Sequence, residues 1–252
     1  MKQVTLVSLY GQKRKELAEF AQRCTDIIAT SPLRRVFRPY RLEQIHGTLV
    51  GMEKLVGYSD HYNANQWAKS NYQRVLMNFG PLFGIVRQHF PLAFQFGGFP
   101  KVFTQFDSFG RSPYERSFQV QWASNRVTVI GWPHRNGDFT GTRLLARFRD
   151  DVACKCGIRH KYDNDNDLFM VLGEIADLTS FTDDEVATLN HESKQVEDAV
   201  RDSLQDHKTE MTVEPDDVLV VQYEKETLPL DTTIAYRITD AGLNAAMISG
   251  LY

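Results

Sequence analysis

Little in this 252-residue chain fixes a compartment or a chemistry outright, and what is scarce excludes several classes. It has three cysteines, Cys24, Cys154 and Cys156. An odd, sparse set frames no disulfide scaffold and fits a reducing compartment, so the cytoplasm is the expected address. Cys154-Lys155-Cys156 has no second ligand pair nearby, and the acidic run 163–167 lacks the glycine and the terminal glutamate of a calcium loop. Neither implies a metal, and no cofactor is expected. No window approaches the roughly 20 apolar residues of a membrane span. The start, Met1-Lys2-Gln3 before Val4–Tyr10, lacks a small-residue cleavage site and reads as a strand, not a leader. With a net charge of only -3, no global basic field gathers polyanions, and any nucleic-acid site must be a local basic cleft. No exact repeat, low-complexity tract or Gly/Ser linker divides residues 1–252, which read as a single domain.

Periodicity supplies the elements. Val4–Tyr10 is β-rich and alternates, and Gly11 breaks it. From Lys13 to Thr30, Leu17, Phe20, Ala21, Cys24, Ile27 and Ile28 recur at helical steps. Leu42–Gly51 reads as a strand, and Trp67–Phe79 is helical, with a further short helix to Phe90. Strands follow at Leu92–Phe96, Ser117–Trp122 and Arg126–Trp132. A helix spans Thr142–Cys156, capped by Thr140 or Thr142 and stopped by Gly157. Leu168–Ala176 is a strand after the polar loop 163–167. Thr182-Asp183-Asp184-Glu185 opens a thin-striped outer helix with a capping-box pattern. Val218–Glu224 and Thr233–Ile238 close the chain as strands. Strand, helix, strand twice over predicts an α+β fold of two similar antiparallel halves with helices outside, facing one another across a cleft.

His46-Gly47-Thr48 is the chemistry-bearing feature of the first half. Two positions apart on a strand, an imidazole and a hydroxyl share one face and can meet one phosphate. The histidine can move a proton, the hydroxyl can bond a non-bridging oxygen, and Gly47 faces the other way and need only be small. Beside it stand Arg34, Arg35, Arg38 and Arg41, interleaved with Phe37 and Tyr40, as candidate phosphate and base contacts.

The run VTLVSLY, a helix and IHGTLVG resembles the first half of the 2H phosphoesterase superfamily, which includes 2′-5′ RNA ligase-like and cyclic phosphodiesterase proteins. SFQVQWASNRVTVIGWP, RLLARFRDDVACKCGI, LFMVLGEI and VLVVQYEKETLPLDTTIAYRI resemble that family's second half and closing strands, including an aromatic near the end, Tyr236. The resemblance implies a bilobal domain, with lobe one near 1–90 plus the C-terminal strands and lobe two near 91–210. It also implies two His-x-Thr motifs facing each other, one histidine as base and the other as acid, acting on a nucleotide or RNA-end phosphodiester of 2′,3′-cyclic or 2′-5′ type.

The second motif is missing. Phe169-Met170-Val171 stands where His-x-Thr is expected, and neither Phe169 nor Val171 can exchange a proton or donate a hydrogen bond. Three arrangements remain open. Another histidine, His134 or His160, takes the vacant place; or His46 works alone at reduced rate; or the protein binds without turnover, with Phe169 offering a face for a base. A purely structural partner protein with a vestigial cleft is the remaining alternative. The expected site set is His46 and Thr48 as catalytic groups, with Phe169, Val171, Arg41, Tyr40, His160 and Tyr236 around the ligand.

Overall fold

The computed structural model describes residues 2–140 and 143–252. Its first part runs β1 (Gln3–Ser8), α1 (Lys15–Ala29), β2 (Phe37–Pro39), β3 (Gly47–Gly51), α2 (Ala64–Lys69), α3 (Leu82–His89) and β4 (Leu92–Phe96). There follow α4 (Pro113–Ser117), β5 (Phe118–Gln121), β6 (Arg126–His134), α5 (Leu144–Cys156) and β7 (Leu168–Ile175). The chain ends with α6 (Asp183–Gln205), β8 (Thr209–Val213), β9 (Val218–Tyr223), β10 (Ile234–Arg237) and α7 (Ala245–Ser249).

The α+β class holds, with all ten strands in a single antiparallel sheet. Its main path is β10-β9-β1-β3-β7-β6-β4-β8, with β2 added to β7 and β5 to β6. The path is symmetric about its middle. β1-α1-β3 on one side matches β6-α5-β7 on the other, and each motif strand is backed by three more. β3 and β7 meet through one register pair, Gly47 with Met170, and β2 adds three more on the same edge of β7, Phe37 with Ile175, Arg38 with Glu174 and Pro39 with Gly173. Gly47 suits that place because a Cβ there would lie 2.5 Å from Cδ1 of buried Leu168.

The main core fills the space between the helices and one face of the sheet, drawing on Leu17, Phe20 and Ile28 of α1, Phe148 and Val152 of α5 and Val196 and Val200 of α6. Thin-striped α6 starts with the expected capping box at Thr182 and Glu185. It docks on β5 through Glu197 to the Val120 amide (2.7 Å) and Arg201 to the Phe118 carbonyl (3.0 Å). Two smaller apolar clusters lie on the opposite face, one around Val7, Leu219, Val221 and Leu228, the other around Phe99, Ile130, Trp132 and Phe139.

Several local expectations change. The strand expected over Leu42–Gly51 opens as a 3-10 turn at Leu42–Gln44, and pairing begins only at Gly47, so His46 stands just ahead of its strand. The helix expected over Trp67–Phe79 ends at Lys69, because Asn71 and Tyr72 turn left-handed (φ 51° and 65°). Thr140 does not cap α5; it bonds Asp138, and Thr142 lies outside the described residues. Instead Asn166 Oδ1 accepts from the amides of Leu145 and Ala146 at 3.1 Å each, so the next strand's approach caps the helix. Strand β8 and helix α7 are additions to the expected elements.

Where β3 and β7 share a single register pair, Arg149 of α5, 4% exposed, bridges the two strands. Its guanidinium donates to the carbonyls of Leu49 (2.8 Å) and Thr48 (3.1 Å) on β3, and to those of Asp165 (2.8 Å) and Asp167 (3.2 Å) leading into β7. The Asp165 carboxylate pairs with it at 3.0 Å. Removing one partner of such a buried pair leaves the other groups desolvated and unsatisfied, at about 3–5 kcal/mol. Arg149→Ala is therefore expected to lose about 3–5 kcal/mol in denaturant unfolding. Lys15→Ala, which breaks an exposed pair with Glu19, should change it by less than about 0.5 kcal/mol.

Candidate functional site

The site follows from the seam. Gly47 and Met170 turn into the main core, where Met170 is fully buried. Strand alternation then puts their neighbours on the other face, with His46 on the Val171 side and Thr48 on the Phe169 side. All four are only partly covered. His46 and Thr48 thus share one patch with Phe169 and Val171 at the centre of the sheet.

His46 Nδ1 lies 2.8 Å from the carbonyl oxygen of Gln44. A carbonyl only accepts, so Nδ1 carries the proton and Nε2 keeps its lone pair. The edge of Tyr10 packs on the ring at 6.0 Å. Burial pushes the imidazole down to about 4, helped by the nearby cations Lys13 and Arg126 and opposed by the Gln44 bond. At neutral pH His46 is uncharged and able to take a proton. Among the described residues, no protein group bonds the Thr48 hydroxyl.

Lys13 and Arg126 are the functional candidates that sequence reasoning missed. Lys13 follows the break at Gly11, and its Nζ is tied to the carbonyls of Gly11 (2.7 Å) and Glu43 (3.2 Å). Burial lowers it to about 8, with Glu43 opposing, so it remains a cation at pH 7. Arg126 opens β6 on the same face as Thr128 and Ile130, because Val127 and Val129 between them enter the core. A basic residue just after the first strand was a usable signal for Lys13. Nothing local marks Arg126.

The patch is polar at the His46 end and aromatic at the Phe169 end. Phe169 packs with Phe99, Phe103, Phe106, Trp132 and Phe139, with centroids such as Phe99–Trp132 5.0 Å apart. The segment Lys101–Glu115, whose sequence reads as a long loop, brings Phe103 and Phe106 against this cluster, and α4 begins within it at Pro113. Beneath them the polar loop 163–167 is exposed at Asp163 and Asn164 but buried at Asp165 and Asp167. Asp167 is buried against Ser108 (2.6 Å), Arg116 (2.7 Å) and Trp132 Nε1 (2.8 Å).

Of the remaining expected residues, only Tyr40 reaches the Arg126 side of the patch. His160 does not supply the absent acid. It bonds Asp165 at 3.1 Å beside Arg149 and α5, lining a separate cavity of about 580 Å³ with Arg159, Cys154 and Asp163. His134 lies at the far end of β6, 3.6 Å from Glu210. Tyr236 pairs with Val220 and packs on the main core, on the face opposite the cleft. Arg41 is exposed, ahead of the 3-10 turn at Leu42–Gln44. Tyr40 packs on the main core, and its hydroxyl meets Glu174, the register partner of Arg126. Among the described residues no group of three or more His, Cys, Asp or Glu could hold a metal ion, and no helix is long and apolar enough to cross a membrane.

No family model matches the chain, and no curated protein matches it. Among solved structures it is similar to a conserved protein of unknown function from Agrobacterium tumefaciens, at 10% identity, a TM-score of 0.42 and coverage of 89% of this chain and 81% of that one. That likeness is too distant to bear on the site.

His46 also sets a pH dependence. Its folded-state value, about 4, lies below the ordinary 6.5. Above 6.5 neither state takes the proton and stability is intact; as pH falls toward 4 the unfolded chain protonates first and stability declines. A tenfold difference in proton affinity between the two states corresponds to about 1.4 kcal/mol. Unfolding at pH 7.0 and pH 4.5 should show His46→Gln losing roughly 1–3 kcal/mol less than wild type between the two. Equal losses would remove His46 from the account.

Proposed function

We propose that this chain is a 2H phosphoesterase-like protein that binds a nucleotide or RNA end through a 2′,3′-cyclic or 2′-5′ phosphodiester. Turnover in it is reduced to what one histidine sustains. The observation that carries this reading is the shared patch: His46 and Thr48 beside Phe169 and Val171, polar on one side and apolar on the other. The phosphate lies at Thr48 and His46, within reach of the charges of Lys13 and Arg126. Thr48 donates to a non-bridging oxygen, and the base lies toward Phe169, where stacking is worth about 1–3 kcal/mol.

A neutral His46 with a free Nε2 can act as base on a water or a ribose hydroxyl. No second histidine faces it to protonate the leaving oxygen, since Phe169 and Val171 hold that side. A missing acid–base group typically lowers the rate about 10²–10⁴-fold, so binding dominates and hydrolysis is slow.

Adenosine 2′,3′-cyclic phosphate and a 2′-5′ diadenylate, titrated by calorimetry and followed for turnover, test this. Thr48→Val removes one hydrogen bond to a charged group and should weaken binding by about 1.5–3 kcal/mol. His46→Ala should abolish the residual turnover. Absence of binding by wild type, or binding indifferent to both substitutions, would contradict the proposal.

A further inference from the structure

The segment 224–232 between β9 and β10 crosses the cleft. β9 and β6 are four strands apart in the sheet, roughly 19 Å at about 4.8 Å per step. Yet Glu226 of this segment pairs with Arg126 of β6 at 2.9 Å. The segment must therefore arch over β1, β3 and β7 to reach it. Along the way it is tied to the groups that frame His46. Gln44 Nε2 donates to the Thr227 carbonyl at 2.6 Å, while the Gln44 carbonyl holds His46 Nδ1. The Tyr10 hydroxyl donates to the Leu228 carbonyl at 3.1 Å, while its ring packs on the imidazole. Leu228 itself is buried against Val7, Leu219 and Val221.

We infer that Arg126 is the cleft's anion anchor and that Glu226 is its built-in competitor, holding residues 224–232 as a strap over His46 until a phosphate group takes Arg126. The identity of the ligand rests on the phosphodiester reading above. The anchoring contact is suited to release. Its side chains are 33% and 76% exposed, and exposed ion pairs of this kind are weak and screened. A phosphate offers the guanidinium a bidentate partner of equal or greater charge.

Hydrogen exchange at the strap's own bonded amides, Leu228 (to Lys225) and Thr232 (to Pro229), reads the state directly. Inorganic phosphate should raise their exchange in wild type, and Glu226→Gln should raise it without phosphate. Glu226→Gln should also bind adenosine 2′,3′-cyclic phosphate about two- to five-fold more tightly, and Arg126→Gln should loosen the strap yet bind more weakly. Exchange unmoved or lowered by phosphate, or a Glu226→Gln strap as protected as wild type, would overturn the inference. If phosphate and Glu226→Gln both loosen the strap but no variant binds the cyclic phosphate, the strap stands and the phosphodiester reading falls.

Discussion

One guanidinium holds the centre of this protein together. Arg149 reaches from α5 to carbonyls on β3 and on the approach to β7, two strands that share a single register pair. Burying that charge costs several kcal/mol unless it is fully partnered, and the Asp165 carboxylate with four carbonyl oxygens supplies the partners. The geometry it fixes is functional as well as structural. With β3 and β7 in place, the side chains flanking Gly47 and Met170 have one face on which to emerge, and that face is the cleft.

The two sides of the patch differ in chemistry under a similar backbone. On the β3 side the polar pair is retained, and Gln44 and Tyr10 give His46 a defined tautomer and a covered ring. On the β7 side the corresponding positions have joined an aromatic cluster built from the segment after Gly97. Neither Phe169 nor Val171 can carry a proton there. The surface is graded from cationic to aromatic, the grading on which the proposed nucleotide reading rests.

Much of the fold was legible because its signals are local. Alternation in VTLVSLY, the helical spacing of Leu17, Phe20 and Cys24, and the capping box at Thr182 and Glu185 each act within a few residues. The duplicated strand-helix-strand order followed from them. What was not legible depended on distant partners. Asp165 and Asp167 read as solvated because their composition is polar, yet Arg149, Arg116 and Trp132 bury them. Arg126 became a site residue only through its position on β6 and its pairing with Glu226, 100 positions away. His160 and Tyr236 looked well placed by sequence distance, but lie beside α5 and on the opposite face.

Rebuilding the lost motif tests the central claim most directly. If Phe169 and Val171 stand opposite His46 and Thr48 around one phosphate, Phe169→His with Val171→Thr supplies the absent acid and its hydroxyl partner. Hydrolysis of adenosine 2′,3′-cyclic phosphate by the double variant should then exceed wild type by roughly 10²–10⁴-fold, and a further His46→Ala should remove the gain. A double variant that folds and binds the cyclic phosphate, yet turns it over no faster than wild type, would contradict the account.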